Sequence, residues 1–229
     1  MTKPARNRDL GAITLSRKTG EEPFRIDKLE LNAKLSEFWQ WSCSNLLGNS
    51  LRGHLAEYIV GLALGCVDKV RQEWDAVDLQ WEPELGSKIR IEVKSAAYLQ
   101  SWKQEKVSSI SFDIAQKRPW DAETNAMETD VVRVADVYIF CLLQHKDKSS
   151  VDPLNLSQWT FFAVPTPQIH ATFGTQKSVS LGPLSILHGP SFGFTELKTR
   201  VVEAAKWKST RLITSSHEVD DATPRHSNE

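Results

Sequence analysis

A short segment with strictly alternating side chains places the strongest limit on how this chain can fold. Residues 88–94 alternate between charged and apolar types: Lys88, Ile89, Arg90, Ile91, Glu92, Val93 and Lys94. A period of two residues is typical of a β-strand with one apolar and one charged face. Glu92 and Lys94, two residues apart, therefore point in the same direction from this strand.

An acidic cluster lies upstream of this strand and supplies possible partners for it. Residues 77–81 are predicted to form another strand, and residues 82–87 contain the Pro and Gly typical of a hairpin turn. Such a hairpin would bring one aspartate opposite Glu92. We expect this to be Asp78, with Asp75 as the alternative, because Asp75 has the opposite strand parity and precedes the strand.

A different interpretation of the same residues remains open. Asp75 could cap a turn, and Asp78 could be a surface acid paired with Lys88 or Arg90. Surface ion pairs contribute only ~0–1 kcal/mol, so they would explain little. Two facing carboxylates, in contrast, can hold a divalent cation, and a lysine beside them can orient or polarise a water molecule. This is the chemistry of a metal-dependent phosphodiesterase.

A helix is predicted from about residue 50 to 64, ending at Gly65. Glu57 lies among its apolar residues, with Gly53 and Gly61 four residues before and after it on the same face. Glycine inside a helix costs ~1 kcal/mol relative to alanine. The two glycines indicate close approach of another part of the chain, or access for a substrate. From the helix alone, a solvated glutamate is an equally good explanation.

The 229 residues are enough for one full-sized α/β domain, which we place at 25–208. Residues 1–24 are polar and are predicted to form a flexible arm, and the polar tail 209–229 is predicted to be disordered. Within the domain we expect a helix beginning after an Asp27 cap, a possible helix at 95–106, and a C-terminal helix at 196–207. The continuous apolar run 134–143 predicts a central buried strand, and 159–165 predicts another.

Composition excludes some classes of protein. No apolar run approaches the ~20 residues of a membrane span, and no secretory signal is recognisable at the N-terminus. Three widely spaced cysteines fit a reducing cytosol, so we expect a cytoplasmic protein. The net charge of −1 does not indicate a basic nucleic-acid binder, although a local basic groove is possible. Its candidate cations are Lys88, Arg90, Lys94, Lys103, Lys106, Lys117 and Arg118.

The motifs together resemble those of the PD-(D/E)XK nuclease superfamily, the restriction-endonuclease-like fold. The resemblance covers roughly residues 50–102 and rests on Gly53 with Glu57, on Asp78, on Glu92-Val93-Lys94 and on Gln100. In that family an acid on the first core helix precedes an aspartate on one strand and E-x-K on the next, often followed by a glutamine. Val77 takes the place of the proline that often precedes the aspartate.

The resemblance implies a central mixed β-sheet flanked by helices, with an α-β-β-β-α-β core. It also implies Mg²⁺-dependent hydrolysis of nucleic acid, with Mn²⁺ as a possible substitute. Asp78 and Glu92 would bind the metal, Glu57 would complete the site directly or through water, and Lys94 would position the attacking water. Gln100 would support the site or touch substrate.

The expected substrate is DNA, with RNA not excluded, in a restriction, repair or defence role. No membrane partner is expected, and a homodimer is plausible because cutting both strands of a duplex commonly uses two sites. The alternative function is that of a catalytically inert nuclease-like module that binds nucleic acid or a protein partner. The near-neutral charge favours this second hypothesis.

Overall fold

The computed structural model describes residues 11, 13–72, 76–83, 86–121, 126–127 and 129–215, with the backbone alone at 121 and 208–215. The strands are β1 (Pro23–Ile26), β2 (Leu29–Lys34), β3 (Leu79–Trp81), β4 (Ile89–Ala97), β5 (Ser111–Asp113), β6 (Trp120–Asp121), β7 (Ala126–Met127), β8 (Val137–Leu143), β9 (Trp159–Pro165) and β10 (Ser178–Ser180). The helices are α1 (Leu35–Cys43), α2 (Asn49–Leu64), α3 (Thr166–Phe173), α4 (Leu181–His188) and α5 (Leu197–Ser215).

A four-stranded mixed sheet forms the centre of the molecule, in the order β3-β4-β8-β9. Neighbouring strands run antiparallel in the pairs β3–β4 and β8–β9 and parallel in the pair β4–β8. All seven residues of β8 and of β9 are buried, which explains why β8 is a continuous apolar run and β9 is apolar except for Thr160. The predicted α/β class, with a central mixed sheet flanked by helices, is confirmed at this level.

The sheet separates two apolar clusters. One face carries Ile91 and Val93 and packs against α2 and α5, whose buried residues include Ala56, Val60 and Val201. The opposite face packs against the segments around β5, α3 and α4, and its buried members include Phe112, Phe140, Phe162, Ile169 and Leu184. Because Glu92 and Lys94 alternate with Ile91 and Val93, they point to this second face.

Helix α2 ends where the sequence predicts. Gly65 has a φ of +75°, a left-handed conformation that glycine adopts without steric penalty. Gly61 is a close-approach position: a Cβ there would lie 2.6 Å from Cγ1 of Val67. Gly53 has open space around it. Of the two glycines on the Glu57 face, packing therefore requires glycine at position 61 and not at position 53.

The prediction that Asp27 caps a helix is wrong. Asp27 has a φ of +54° and lies in the turn between β1 and β2, which pair with Ile26 opposite Leu29. Residues 29–32 alternate apolar and polar side chains, which is the two-residue period of a strand. Residues 23–26 pair with this strand, so the segment is β-structure and not a helix. The helix begins only at Leu35, where the Glu37 side chain accepts a hydrogen bond from the backbone N–H of Lys34 at 3.0 Å.

The prediction of a possible helix at residues 95–106 is also wrong. Strand β4 continues to Ala97 because β8 pairs with it as far as Leu143, and the side chains of Ala96 and Ala97 are buried. Between β4 and β8 the described residues contain short strands and no helix. The order along the chain therefore differs from the α-β-β-β-α-β order that the resemblance implied.

Helix α5 extends beyond the predicted end at residue 207, to Ser215. Its buried residues Leu197, Val201 and Ala204 recur at helical spacing and pack against the sheet. The helix therefore runs into the segment 209–229 that was predicted to be a disordered tail, of which residues 216–229 lie outside the described residues. None of the described helices combines the length and hydropathy needed to cross a bilayer.

Candidate active site

The β3–β4 hairpin places Asp78 beside Glu92. Leu79 pairs with Ile91, so the register continued by one residue sets Asp78 opposite Glu92. Oδ2 of Asp78 accepts a hydrogen bond of 2.7 Å from the backbone N–H of Val93. The carboxylate thereby replaces a main-chain acceptor just before the edge strand begins. This hydrogen bond holds the Asp78 side chain against β4, next to Glu92.

Glu92 is buried, and two lysines neutralise it through one oxygen. The ammonium of Lys94 lies 2.6 Å from Oε1 of Glu92, and that of Lys117 lies 2.7 Å from the same atom. The Lys94 side chain is 17% exposed, whereas the Lys117 side chain is 56% exposed. Lys94 therefore belongs to the interior of the site, and Lys117 covers it from the solvent side.

Burial and the nearby charge of Glu92 raise the pKa of Asp78 to about 6. The hydrogen bond from Val93 and the charge of Lys94 lower this pKa but do not offset the first two effects. The two carboxylates are thus close enough to repel each other. A site of this kind favours any cation that both acids can share.

Glu57 is buried on α2 and forms a two-pronged ion pair with Arg71, so it is not a solvated glutamate. Its Oε2 lies 2.5 Å from Nε of Arg71 and its Oε1 lies 3.0 Å from Nη2. The charge of Glu57 contributes to the raised pKa of Asp78, which places the two carboxylates within electrostatic reach. Glu57 is therefore a neighbour of the Asp78–Glu92 pair, held by its own cation.

Gln100 is buried where the chain leaves β4. Its side-chain oxygen lies 3.5 Å from Nη1 of Arg52, and its amide nitrogen donates to the Ala97 carbonyl and to Ser108 Oγ, each at 3.4 Å. Its backbone N–H donates to Oε1 of Gln104 at 2.7 Å. These contacts join α2 to the segment after β4, so Gln100 has a supporting position near the end of the strand.

Three of the five expected site residues come together in one cluster: Asp78, Glu92 and Lys94. Within the part of the chain that the structure describes, no group of three or more His, Cys, Asp or Glu side chains could hold one metal ion. Glu57 consequently does not complete a three-acid cluster with the other two. The alternative aspartate, Asp75, lies outside the described residues.

A family model described as bacteriophage T4 endonuclease IV matches residues 32–181. The chain belongs to this endonuclease IV family. The matched stretch includes α2 and all four strands of the central sheet, and with them Asp78, Glu92 and Lys94. Membership indicates that the protein is a nuclease. No curated protein and no solved structure gives a significant match.

Three further residues at the candidate site lack a specific sequence signal. Lys117 is 25 residues from Glu92 and stood out only as one of seven candidate cations. Arg71 is 14 residues from Glu57 and follows α2 without any recognisable motif. Tyr138 pairs with Glu92 in the β4–β8 ladder, and burial together with the charge of Glu92 raises the pKa of its phenol. Contacts of this kind depend on how distant segments pack.

Proposed function

We propose that this protein is a Mg²⁺-dependent endodeoxyribonuclease whose active site is formed by Asp78, Glu92 and Lys94. One observation carries the proposal: Asp78 is held opposite Glu92, and the Lys94 ammonium lies 2.6 Å from the Glu92 carboxylate. Membership in a family named for an endonuclease supports the reaction, and the E-x-K arrangement supports assignment to the PD-(D/E)XK type.

The residues fit a divalent cation. Mg²⁺ is commonly bound by one or two carboxylates together with substrate phosphates and water, all of them oxygen ligands. Asp78 and Glu92 supply the two carboxylates, and their mutual repulsion, seen in the raised pKa of Asp78, favours a shared cation. In this structure the ammonium groups of Lys94 and Lys117 supply the positive charge that offsets Glu92. Mn²⁺ prefers similar ligands and should substitute.

When bound, the cation would neutralise charge on the scissile phosphate and make a water molecule more acidic. The remaining chemistry belongs to the chain itself. Lys94, fixed on β4 and largely shielded from solvent, would orient the attacking water and offset negative charge in the transition state. Asp78 would hold its share of the cation only when ionised. Glu57, balanced by Arg71, would contribute through water.

A restriction-endonuclease-like fold is the proposed framework for this site. A helix packed against a central sheet, an antiparallel hairpin carrying the acids, and a parallel strand beside the E-x-K strand support this assignment. Among the described residues between β4 and β8, short strands stand where the expected core has a helix, and we treat this as a variation on that core. Replacing that helix by short strands leaves the hairpin and its acids in place.

A non-catalytic module that binds nucleic acid is the second candidate, and the charge balance of the site favours it. Three acids and three cations lie in and around the cluster: Asp78, Glu92 and neighbouring Glu57 are offset by Lys94, Lys117 and Arg71. With equal numbers of opposite charges, the folded site does not require a metal ion. A protein of this kind would bind DNA equally well with and without divalent cations.

Cleavage assays distinguish the two candidates. Wild type, Lys94→Ala and Glu92→Gln would be incubated with plasmid DNA, single-stranded DNA and RNA, in Mg²⁺, in Mn²⁺ and in EDTA. We expect cation-dependent cutting of DNA by wild type and a loss of about 100-fold or more in each variant. Lys206→Ala, on the exposed side of α5, is the matched lysine control and should cut normally.

Equal residual cutting by wild type and Lys94→Ala would mean that the activity comes from a contaminant or from another site. Circular dichroism of each variant would show whether the fold is retained. Calorimetric titration with Mn²⁺ adds an independent measurement, because wild type should bind the ion and Asp78→Asn should bind it more weakly. A site that binds no divalent cation would favour the non-catalytic module.

A further inference from the structure

Lys117 is held at the candidate site by its backbone as well as by its side chain. Its N–H donates to the carbonyl of Val132, and the N–H of Val132 donates back to the carbonyl of Lys117, both at 2.9 Å. This isolated pair fixes the segment after β5 beside the segment that leads into β8. The position of the Lys117 Cα therefore does not depend on the ion pair that its side chain makes.

The side chains of Lys117 and Lys94 differ in freedom although both contact Oε1 of Glu92. Lys94 comes from the same strand as Glu92 and is mostly enclosed, whereas more than half of the Lys117 side chain faces solvent. A lysine ammonium is a compact charge on a flexible four-carbon stem. Lys117 can therefore leave Glu92 without any change in the backbone, while Lys94 has little room to move.

We propose that Lys117 is a phosphate-binding residue of the active site, whose ammonium leaves Glu92 when substrate binds and contacts a DNA backbone phosphate. This inference rests on the proposed nuclease function and extends it to a specific substrate contact. Two ammonium groups and a divalent cation on one carboxylate would repel one another strongly, so one ammonium must give way. The exposed and flexible Lys117 is the one free to move.

The near-neutral charge of the protein favours a local cation at the site as a phosphate contact. The net charge is −1, so the protein as a whole does not attract a polyanion. A cation on the solvent side of the carboxylates lies where a DNA backbone must approach them. Arg118, which follows Lys117, is also exposed and extends the positive charge along the same segment. Lysine is an effective phosphate ligand as a point charge.

A purely structural role explains Lys117 less well. More than half of the Lys117 side chain is exposed, so solvent screens its attraction to Glu92. Lys94 already neutralises Glu92, and the backbone pair with Val132 already fixes the segment. Loss of the Lys117 ammonium should therefore change the free energy of unfolding little while it changes DNA binding.

The test compares full-length wild type with Lys117→Ala, Lys117→Arg and the control Lys206→Ala, which removes a lysine from the opposite side of the sheet. Binding to a fluorescent DNA oligonucleotide would be measured by anisotropy, without divalent cations and in Ca²⁺, over a series of salt concentrations. We expect Lys117→Ala to weaken binding about 5- to 10-fold and to reduce the slope of log K against log salt by about 1. Lys117→Arg should restore most of the affinity, and Lys206→Ala should match wild type.

Calorimetry without DNA provides a second measurement. Lys117→Ala should bind Mn²⁺ a few-fold more tightly than wild type, because the ammonium no longer competes for Glu92. An unchanged affinity for DNA and an unchanged salt slope in Lys117→Ala would overturn the inference. So would a failure of wild type to bind DNA under any of these conditions.

The outcomes also separate this inference from the proposed function. Weaker DNA binding by Lys117→Ala, in a protein that never cleaves, would support the phosphate contact and reject the nuclease. Cleavage that Lys94→Ala abolishes and Lys117→Ala leaves at the wild-type KM would support the nuclease and reject the phosphate contact. If both hold, Lys117→Ala should raise KM more than it lowers kcat.

Discussion

Asp78 is a single side chain whose surroundings oppose its charge. Burial and Glu92 raise its pKa from 3.8 to about 6, so the folded protein binds a proton there more tightly than the unfolded chain does. Between about pH 4 and pH 6 the stability therefore falls as pH rises, and above pH 6 the full destabilisation is present. The proposed cation site requires the same ionised carboxylate, so stability and the proposed cation binding would oppose each other at this residue.

Asp78→Asn should stabilise the protein at neutral and alkaline pH. Asparagine keeps an oxygen that can accept the hydrogen bond from Val93, and it removes the buried charge. We expect an increase in the free energy of unfolding of at most about 3 kcal/mol at pH 8, decreasing toward pH 4. Urea unfolding at several pH values measures this. A larger increase at pH 5 than at pH 8 would contradict the pKa assignment.

Divalent cations should remove the same destabilisation in the wild type. A cation shared by Asp78 and Glu92 offsets their repulsion and binds only the folded protein, so Tm should rise with Mg²⁺ or Mn²⁺ concentration. The rise should be larger at pH 8 than at pH 5, since protonated Asp78 is a poor ligand. Differential scanning calorimetry measures the shift. Asp78→Asn serves as the control, and an equal cation-dependent shift in this variant would exclude Asp78 as a ligand.

Helix α2 offers a matched pair of substitutions at the level of an element. Gly53→Ala should stabilise the protein by about 0.5–1 kcal/mol, because the added methyl meets open space and alanine favours a helix. Gly61→Ala should destabilise it by about 1–3 kcal/mol, because the new Cβ would meet Val67 at 2.6 Å. Thermal unfolding of both variants checks the signs. Equal effects would mean that Val67 moves aside easily.

Elements with a strong period could be predicted from the sequence, and those with weak or mixed patterns could not. β8, β9 and α2 were placed correctly, and β4 was found in part, because each buries a continuous run or a regular stripe. The segment 27–39 failed because a two-residue and a helical period follow each other within it. Strand β4 was predicted too short, because small residues such as Ala96 carry little strand preference, and its pairing with β8 extended it.

The whole molecule depends on α5 to cover one face of the sheet. A chain ending at Trp207 keeps the buried residues Leu197, Val201 and Ala204, and we expect it to fold with a cooperative transition. A chain ending at Glu196 loses all three and should not fold stably, because each large buried side chain contributes about 1.5–3 kcal/mol. Circular dichroism melts of the two truncated chains test the domain boundary proposed near residue 208. Cooperative unfolding by the shorter chain would contradict it.

The candidate site, like the fold, has a part that could be predicted from the sequence and a part that could not. Asp78, Glu92 and Lys94 could be brought together from sequence because one hairpin connects them, and a hairpin's register follows from the spacing of its residues. Lys117 and Arg71 could not, because they reach the acids from loops whose paths no periodic pattern describes. Gln100 was placed near the strand end, but its contacts with Arg52 emerge only from the packing of α2.

The parallel pairing of β4 with β8 has a consequence while the chain is being synthesised. The ribosome completes α2 and the β3–β4 hairpin before it makes Lys117, and it makes β8 later still. Ile91 of β4 therefore has no partner in β8 until Val137 has been synthesised. During that interval β4 is an open edge strand, and its acid pair lacks its outer cation. Open edges attract unwanted strands from other chains. The strand that carries Glu92 and Lys94 is thus most vulnerable to aggregation in the nascent protein.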